Sequence, residues 1–154
     1  MKISNFLKKD FVLPELALKD KEDVLNHLAD FLQSKNAIQN KENLLRSLLE
    51  REGLGSTGIG DNVAIPHAKS DQINNIMALF VRSKEGINFD SLDQKPVHFI
   101  CLLIAPSHST GLHLKALARI AKILKRNTLR NKILNAGSAE DIYSILIEED
   151  DALD

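Results

Sequence analysis

The stretch Arg51–Lys69, REGLGSTGIGDNVAIPHAK, sets one arginine, four glycines, two hydroxyl residues and a proline-preceded histidine within nineteen positions. Gly53, Gly55 and Gly58 spell GxGxxG, but the dinucleotide fingerprint of that form follows a strand and opens a helix. Here LLRSLLERE carries a helical pattern before the glycines and NVAIP reads as a strand after them, so the order is reversed. GK[ST] is absent as well, which removes a P-loop. A doubly wound dinucleotide fold is thereby excluded, and the glycines read instead as turns whose N–H groups can form an anion-binding concavity. Asn62–Ile65 reads as a short strand that ends at Pro66, which cannot donate to a ladder, and so delivers His67 at a sheet margin.

Upstream, Ile3, Phe6, Leu7 and Phe11 suggest a short opening helix or turn, and Leu13–Leu18, with Pro14, an extended edge piece. Val24, Leu28, Phe31 and Leu32 form the stripe of an amphipathic helix after Asp20. Asn40 is a good N-cap for the next helix, whose apolar face is Leu44, Leu45, Leu48 and Leu49 and which Gly53 can stop. Arg51 then leaves its last turn toward the glycines, where it can meet a phosphoryl oxygen or simply offset the helix dipole.

Downstream, IMALFV (76–81) and VHFICLLIAP (97–106) are apolar on both faces, as strands covered on both sides must be. A helix follows from Gly111, with Leu114, Leu117, Ala118, Ala121 and Leu124 expected on one face and His113 in its first turn. Two shorter helices close the chain, one from Thr128 and one capped by Ser138. Helices, then strands, then helices imply an α/β three-layer sandwich with a mixed β-sheet covered by helices on both faces.

The 154 residues, 44% hydrophobic and 27% charged, are expected to form a single domain over 1–154. No apolar run approaches the roughly 18 residues of a membrane span, and Met1–Asp10 lacks a signal-peptide core, so the expected compartment is the cytoplasm. Cys101 is the one cysteine, in an apolar run, and cannot make an internal disulfide. A net charge of -1 argues against nucleic-acid partners and direct membrane insertion. Lys115, Arg119, Lys122, Lys125, Arg126 and Arg130 form a local basic patch, readable as a solvated face or as a docking surface for an acidic partner. The acidic EEDDALD tail (148–154) reads as a frayed, solubilising end.

A histidine serves as metal ligand, general base or nucleophile. No HExxH or CxxC supports a metal at His67, His108 and His113, GxSxG is missing, and Cys101 lies in a buried strand. A neutral imidazole can carry a phosphoryl group, which loop N–H groups, a hydroxyl such as Thr57 and a cation such as Arg51 would hold. The residues alone leave two readings standing, a phosphoryl-accepting His67 and a structural histidine in a non-catalytic ligand site.

The runs GSTGIGDNVAIPHAKS, FDSLDQKPVHFICLLIAP and HLKALARIAKIL resemble the EIIA component of the fructose/mannitol class of the phosphoenolpyruvate:sugar phosphotransferase system, including its nitrogen-regulatory branch. The resemblance covers nearly the whole chain, and AIPHA is its specific phosphorylation-site signature. It implies that His67 accepts a phosphoryl group from HPr or an HPr-like carrier with no metal or organic cofactor. It implies too that His113 is the second histidine of the site, that Arg51 contacts the phosphoryl group, and that Gly55, Ser56, Thr57 and Gly58 form the phosphate loop. A free-standing chain of this length resembles the nitrogen-regulatory branch, which acts on regulatory target proteins through its phosphorylation state. The alternative is a fructose-type EIIA that passes the group to an EIIB cysteine. A third reading keeps the fold as a non-catalytic interaction module.

Overall fold

In the computed structural model of the chain, residues 1–109 and 111–153 are described. A one-turn 3-10 helix, Ile3–Asn5, leads into β1 (Leu7–Leu13), and α1 (Lys21–Ser34) and α2 (Lys41–Gly53) follow. Three short strands come next, β2 (Gly58–Gly60), β3 (Val63–Ala64) and β4 (His67–Ser70). The long strands β5 (Met77–Ile87) and β6 (Val97–Pro106) precede α3 (Gly111–Leu124), α4 (Asn127–Asn135) and α5 (Ala139–Ala152).

The sheet runs β1-β5-β6-β3-β2, with β4 also on β6. It is mixed: β1 lies parallel to β5, β3 and β4 parallel to β6, and β5 antiparallel to β6. Strand alternation divides the apolar residues of β5 and β6 between two cores. Phe80, Phe99, Cys101 and Leu103 pack with Ala116, Ile120, Leu129 and Ile142 of α3–α5. Leu79, Val81, Ile100, Leu102 and Ile104 pack with Val24, Leu28, Leu44 and Leu48 of α1 and α2. These two layers are the expected sandwich, and they explain why β5 and β6 carry so few polar residues. Burial holds the Cys101 thiol up at about 12, so it is protonated and inert. Among the described residues, no helix is long and apolar enough to cross a membrane.

Caps form where the sequence places them. Asn40 accepts from the Asn43 amide at 3.0 Å and Ser138 from the Asp141 amide at 3.1 Å, each worth about 1 kcal/mol.

Elsewhere the chain departs from the expectations. The edge strand is Leu7–Leu13, before Pro14, and its Leu7/Val12 irregularity hides the alternation a strand normally shows. Asn62–Ile65 is not one strand. Asp61 and Asn62, both at positive φ, turn the chain from β2 into β3, so that Gly58 pairs with Ala64 and Gly60 with Val63 in a hairpin. His67 does not sit beyond a strand end but opens β4, opposite Leu103 of β6. Pro66 joins the ladder through its acceptor alone, its carbonyl taking the Leu103 amide at 3.0 Å.

On α3 the inward row is His113, Ala116, Ile120, Ile123 and Leu124, while Leu114 is 68% exposed. The helix is apolar over so much of its circumference that its pattern fits more than one phase. The observed one brings Arg119 to Asp150 of α5. That pair also overturns the frayed tail and trims the basic patch. Asp150 is 1% exposed, Arg126 meets Glu149 at 2.8 Å, and Arg130 donates to the Leu124 carbonyl. Asp154, the tail's last residue, lies outside the described residues.

Candidate functional site

The site forms where β4 and the first turn of α3 meet. The rings of His67 and His113 lie 5.4 Å apart, nearly perpendicular at 80°, so two of the expected residues, 46 positions apart in sequence, are neighbours in space. His67 is half-buried, and its Nδ1 lies 2.8 Å from the Ile65 carbonyl. A carbonyl only accepts, so Nδ1 carries the proton. In the neutral ring the lone pair is therefore on Nε2, which no group hydrogen-bonds among the described residues.

His113 is buried, and its Nδ1 has no hydrogen-bond partner among the described residues. Burial, and after it the charges of His67 and Lys69, push its pKa below the usual 6.5. It stays neutral near pH 7 and adds no charge to the site. Because the folded state binds this proton less readily than the unfolded chain, stability is full above 6.5 and is lost as pH falls through that value toward the lowered native pKa. His113→Gln is expected to flatten that part of the profile. Urea unfolding of both proteins from about pH 8 to about pH 5 measures it, and superimposable slopes would show that His113 does not carry the effect.

Arg51 is in the last turn of α2, and its Nη1 donates to the Gly55 carbonyl at 2.9 Å. The rest of its guanidinium fork is unspent among the described residues. Gly55 has φ +149°, strained for any other residue, with open space around it. Gly58 is required by close approach, because a Cβ there would stand 2.1 Å from Ser91 Oγ.

The two hydroxyls of the loop face inward. Ser56 Oγ donates to the Phe89 carbonyl at 2.7 Å and accepts the Gly58 amide at 3.0 Å. Thr57 is 3% exposed and its hydroxyl donates to Glu52. Glu52 itself was missed by the sequence reading, although a carboxylate in the last turn of a helix opposes the dipole and so calls for a partner. His98 Nδ1 donates to the Ser83 carbonyl, 2.8 Å away, as a structural histidine does, and His27 and His108 are exposed. No three His, Cys, Asp or Glu side chains converge as a metal site among the described residues.

An α/β sandwich that sets two histidine rings edge to face, one of them with a ring nitrogen open among the described residues, defines a class: sandwiches with a paired-histidine site. Comparison with known proteins makes it specific. Residues 5–149 match the family described as "Phosphoenolpyruvate-dependent sugar phosphotransferase system, EIIA 2", and the chain belongs to that family of phosphoryl carriers. It is 38% identical to a nitrogen regulatory protein of Bradyrhizobium diazoefficiens over 95% of both chains. It is 33% identical to the fructose-specific EIIABC component of Bacillus subtilis over 97% of its own length, but spans only 24% of that protein. The crystal structure of the nitrogen regulatory protein IIA-Ntr from Neisseria meningitidis superimposes with a TM-score of 0.86 at 29% identity, covering 94% of this chain and 98% of that one.

Proposed function

We propose that His67 is the phosphoryl acceptor, taking the group from a phosphohistidine of HPr or an HPr-like carrier and acting through the phosphorylation state that results. The observation that carries this reading is the Nδ1–H···O=C bond to Ile65, which leaves Nε2 as the nucleophile. In the step, the Nε2 lone pair forms a bond to phosphorus while the donor's N–P bond breaks, its electron pair remaining on the donor nitrogen. The proton stays on Nδ1 throughout, and the Ile65 carbonyl steadies the positive charge that the phosphorylated ring acquires. The incoming dianion meets the Arg51 fork, the neutral His113 ring and the first-turn N–H groups of α3. Neither metal nor organic cofactor takes part. Gly55–Gly58 contribute by shape and backbone N–H groups, since both hydroxyls between them are committed to the protein.

The partner's docking face is supplied by apolar side chains left open beside these groups. Leu112 and Leu114 flank His113 and are 52% and 68% exposed, and Ile59 neighbours Gly58. We take the protein to be cytoplasmic and to work as one domain. A regulatory role fits the 38% identity to the nitrogen regulatory protein. Transfer to an EIIB cysteine for sugar uptake is the second reading, favoured by the 33% identity to the fructose-specific component.

Incubation with phosphoenolpyruvate, enzyme I and HPr is expected to give an acid-labile, base-stable phosphoprotein, and an unlabelled wild-type protein would overturn the proposal. Adding a purified fructose-type EIIB separates the two branches: the regulatory reading expects the label to stay on this chain, and the uptake reading expects it to move to the EIIB cysteine.

A further inference from the structure

Glu52 is 8% exposed, and its carboxylate is spent entirely within the fold. Oε1 accepts the Thr57 amide at 3.0 Å and the Lys21 ammonium at 3.1 Å, while Oε2 accepts the Thr57 hydroxyl. Thr57 is held by its amide and its side chain at once, so its carbonyl direction is fixed. That carbonyl accepts the Ile65 amide at 3.0 Å, and the Ile65 carbonyl in turn takes the Nδ1 proton of His67 at 2.8 Å. Hydrogen bonds therefore tie a buried carboxylate to Thr57, Thr57 to Ile65, and Ile65 to the ring of His67, each link crossing the backbone of one residue. Lys21, whose ammonium also lies 5.2 Å over the Phe89 ring and 3.8 Å from Asp90, balances the charge at the far end.

We infer that Glu52 is a positioning residue for His67, acting through Thr57 and Ile65 to hold the ring in the Nδ1–H tautomer with Nε2 presented. The inference rests on His67 being the phosphoryl acceptor. Its physical basis is positional: Glu52 fixes the place of Thr57 from two sides, Thr57 fixes that of Ile65, and the Ile65 carbonyl is the acceptor that selects the ring tautomer. Without Glu52, Thr57 is free to rotate, the Ile65 peptide loses its brace, and the ring samples its other tautomer. Small displacements of a nucleophile cost rate steeply.

Four variants separate positioning from mere support. Glu52→Ala, and Glu52→Asp, which keeps the charge but withdraws it by one methylene, are expected to slow acceptance from phospho-HPr about 10- to 100-fold at saturating donor, with KM unchanged. Glu52→Gln can still accept from the Thr57 amide and meet its hydroxyl, and is expected to restore most of the rate. Lys21→Met leaves the carboxylate buried without its cation, so it should lower Tm and leave the rate nearly as in the wild type. Nitrogen-15 chemical shifts of the His67 ring, recorded without any phosphoryl donor, should show the Nδ1–H tautomer in the wild type, Glu52→Gln and Lys21→Met, and a tautomer mixture in Glu52→Asp. If the rates of all variants simply follow their Tm, or if the ring keeps its tautomer in Glu52→Asp, the inference is wrong. An unlabelled wild type would instead remove the phosphoryl-acceptor reading, and the tautomer measurement would still decide the relay.

Discussion

His67→Ala is expected to yield a folded protein that accepts no phosphoryl group. The reasoning for both halves is local. The ring is half-buried at the start of β4, and among the described residues its one hydrogen bond goes to the Ile65 carbonyl; losing it costs about 1 kcal/mol, and β4 keeps its ladder to β6. The chemistry has no second route. His113 is buried in the wrong setting to replace it, with a lowered pKa and a ring that faces His67 edge-on. Cys101, with its thiol held up at about 12, supplies no thiolate. His113→Ala should behave differently, slowing transfer by about 100-fold without abolishing it, as removal of one preorganised donor does. Labelling with phosphoenolpyruvate, enzyme I and HPr measures both. Label retained in His67→Ala would remove the assignment, and label lost entirely in His113→Ala would exchange the two roles.

How far the sequence foretold this site depends on the range of each interaction. The sandwich was legible because β5 and β6 are written as continuous apolar runs, which only strands covered on both faces can be. The glycine turn was legible because glycine and proline act on their own backbone. His67 and Arg51 belong to that local grammar. What stayed hidden is set by partners far along the chain. Nothing near Arg82 shows that its guanidinium, 4% exposed, donates to the carbonyls of Pro14, Ile133 and Ala136, closing the end of α4 against β5. Thr57 looked like a ligand for phosphate because a hydroxyl in a glycine loop has that use, and only the fold reveals Glu52 beneath it. The phase of α3 was open for the same reason: leucine and isoleucine are equally apolar, so the pattern admits two rotations, and a salt bridge to α5 selects one.

That salt bridge is expected to carry a large stability effect. Asp150 is 1% exposed and joins three parts of the chain. Its carboxylate accepts the Ile3 amide at 2.8 Å and the Arg119 guanidinium of α3, and its own carbonyl takes a second Arg119 N–H at 2.9 Å. Asp150→Ala is expected to cost about 3–5 kcal/mol, since it removes the buried carboxylate that faces the Arg119 guanidinium and accepts the Ile3 amide. Asp150→Asn keeps an acceptor and loses only the charge, so it should fall between alanine and wild type. The pair Arg119→Met with Asp150→Leu removes both charges together and should recover most of the loss, because what destabilises is the uncompensated partner rather than the missing attraction. Urea unfolding of the four proteins measures this. If the double variant were as unstable as Asp150→Ala, the stabilisation would lie in the attraction itself, and the same bridge could no longer be treated as the device that merely chooses the rotation of α3 and thereby turns His113 inward.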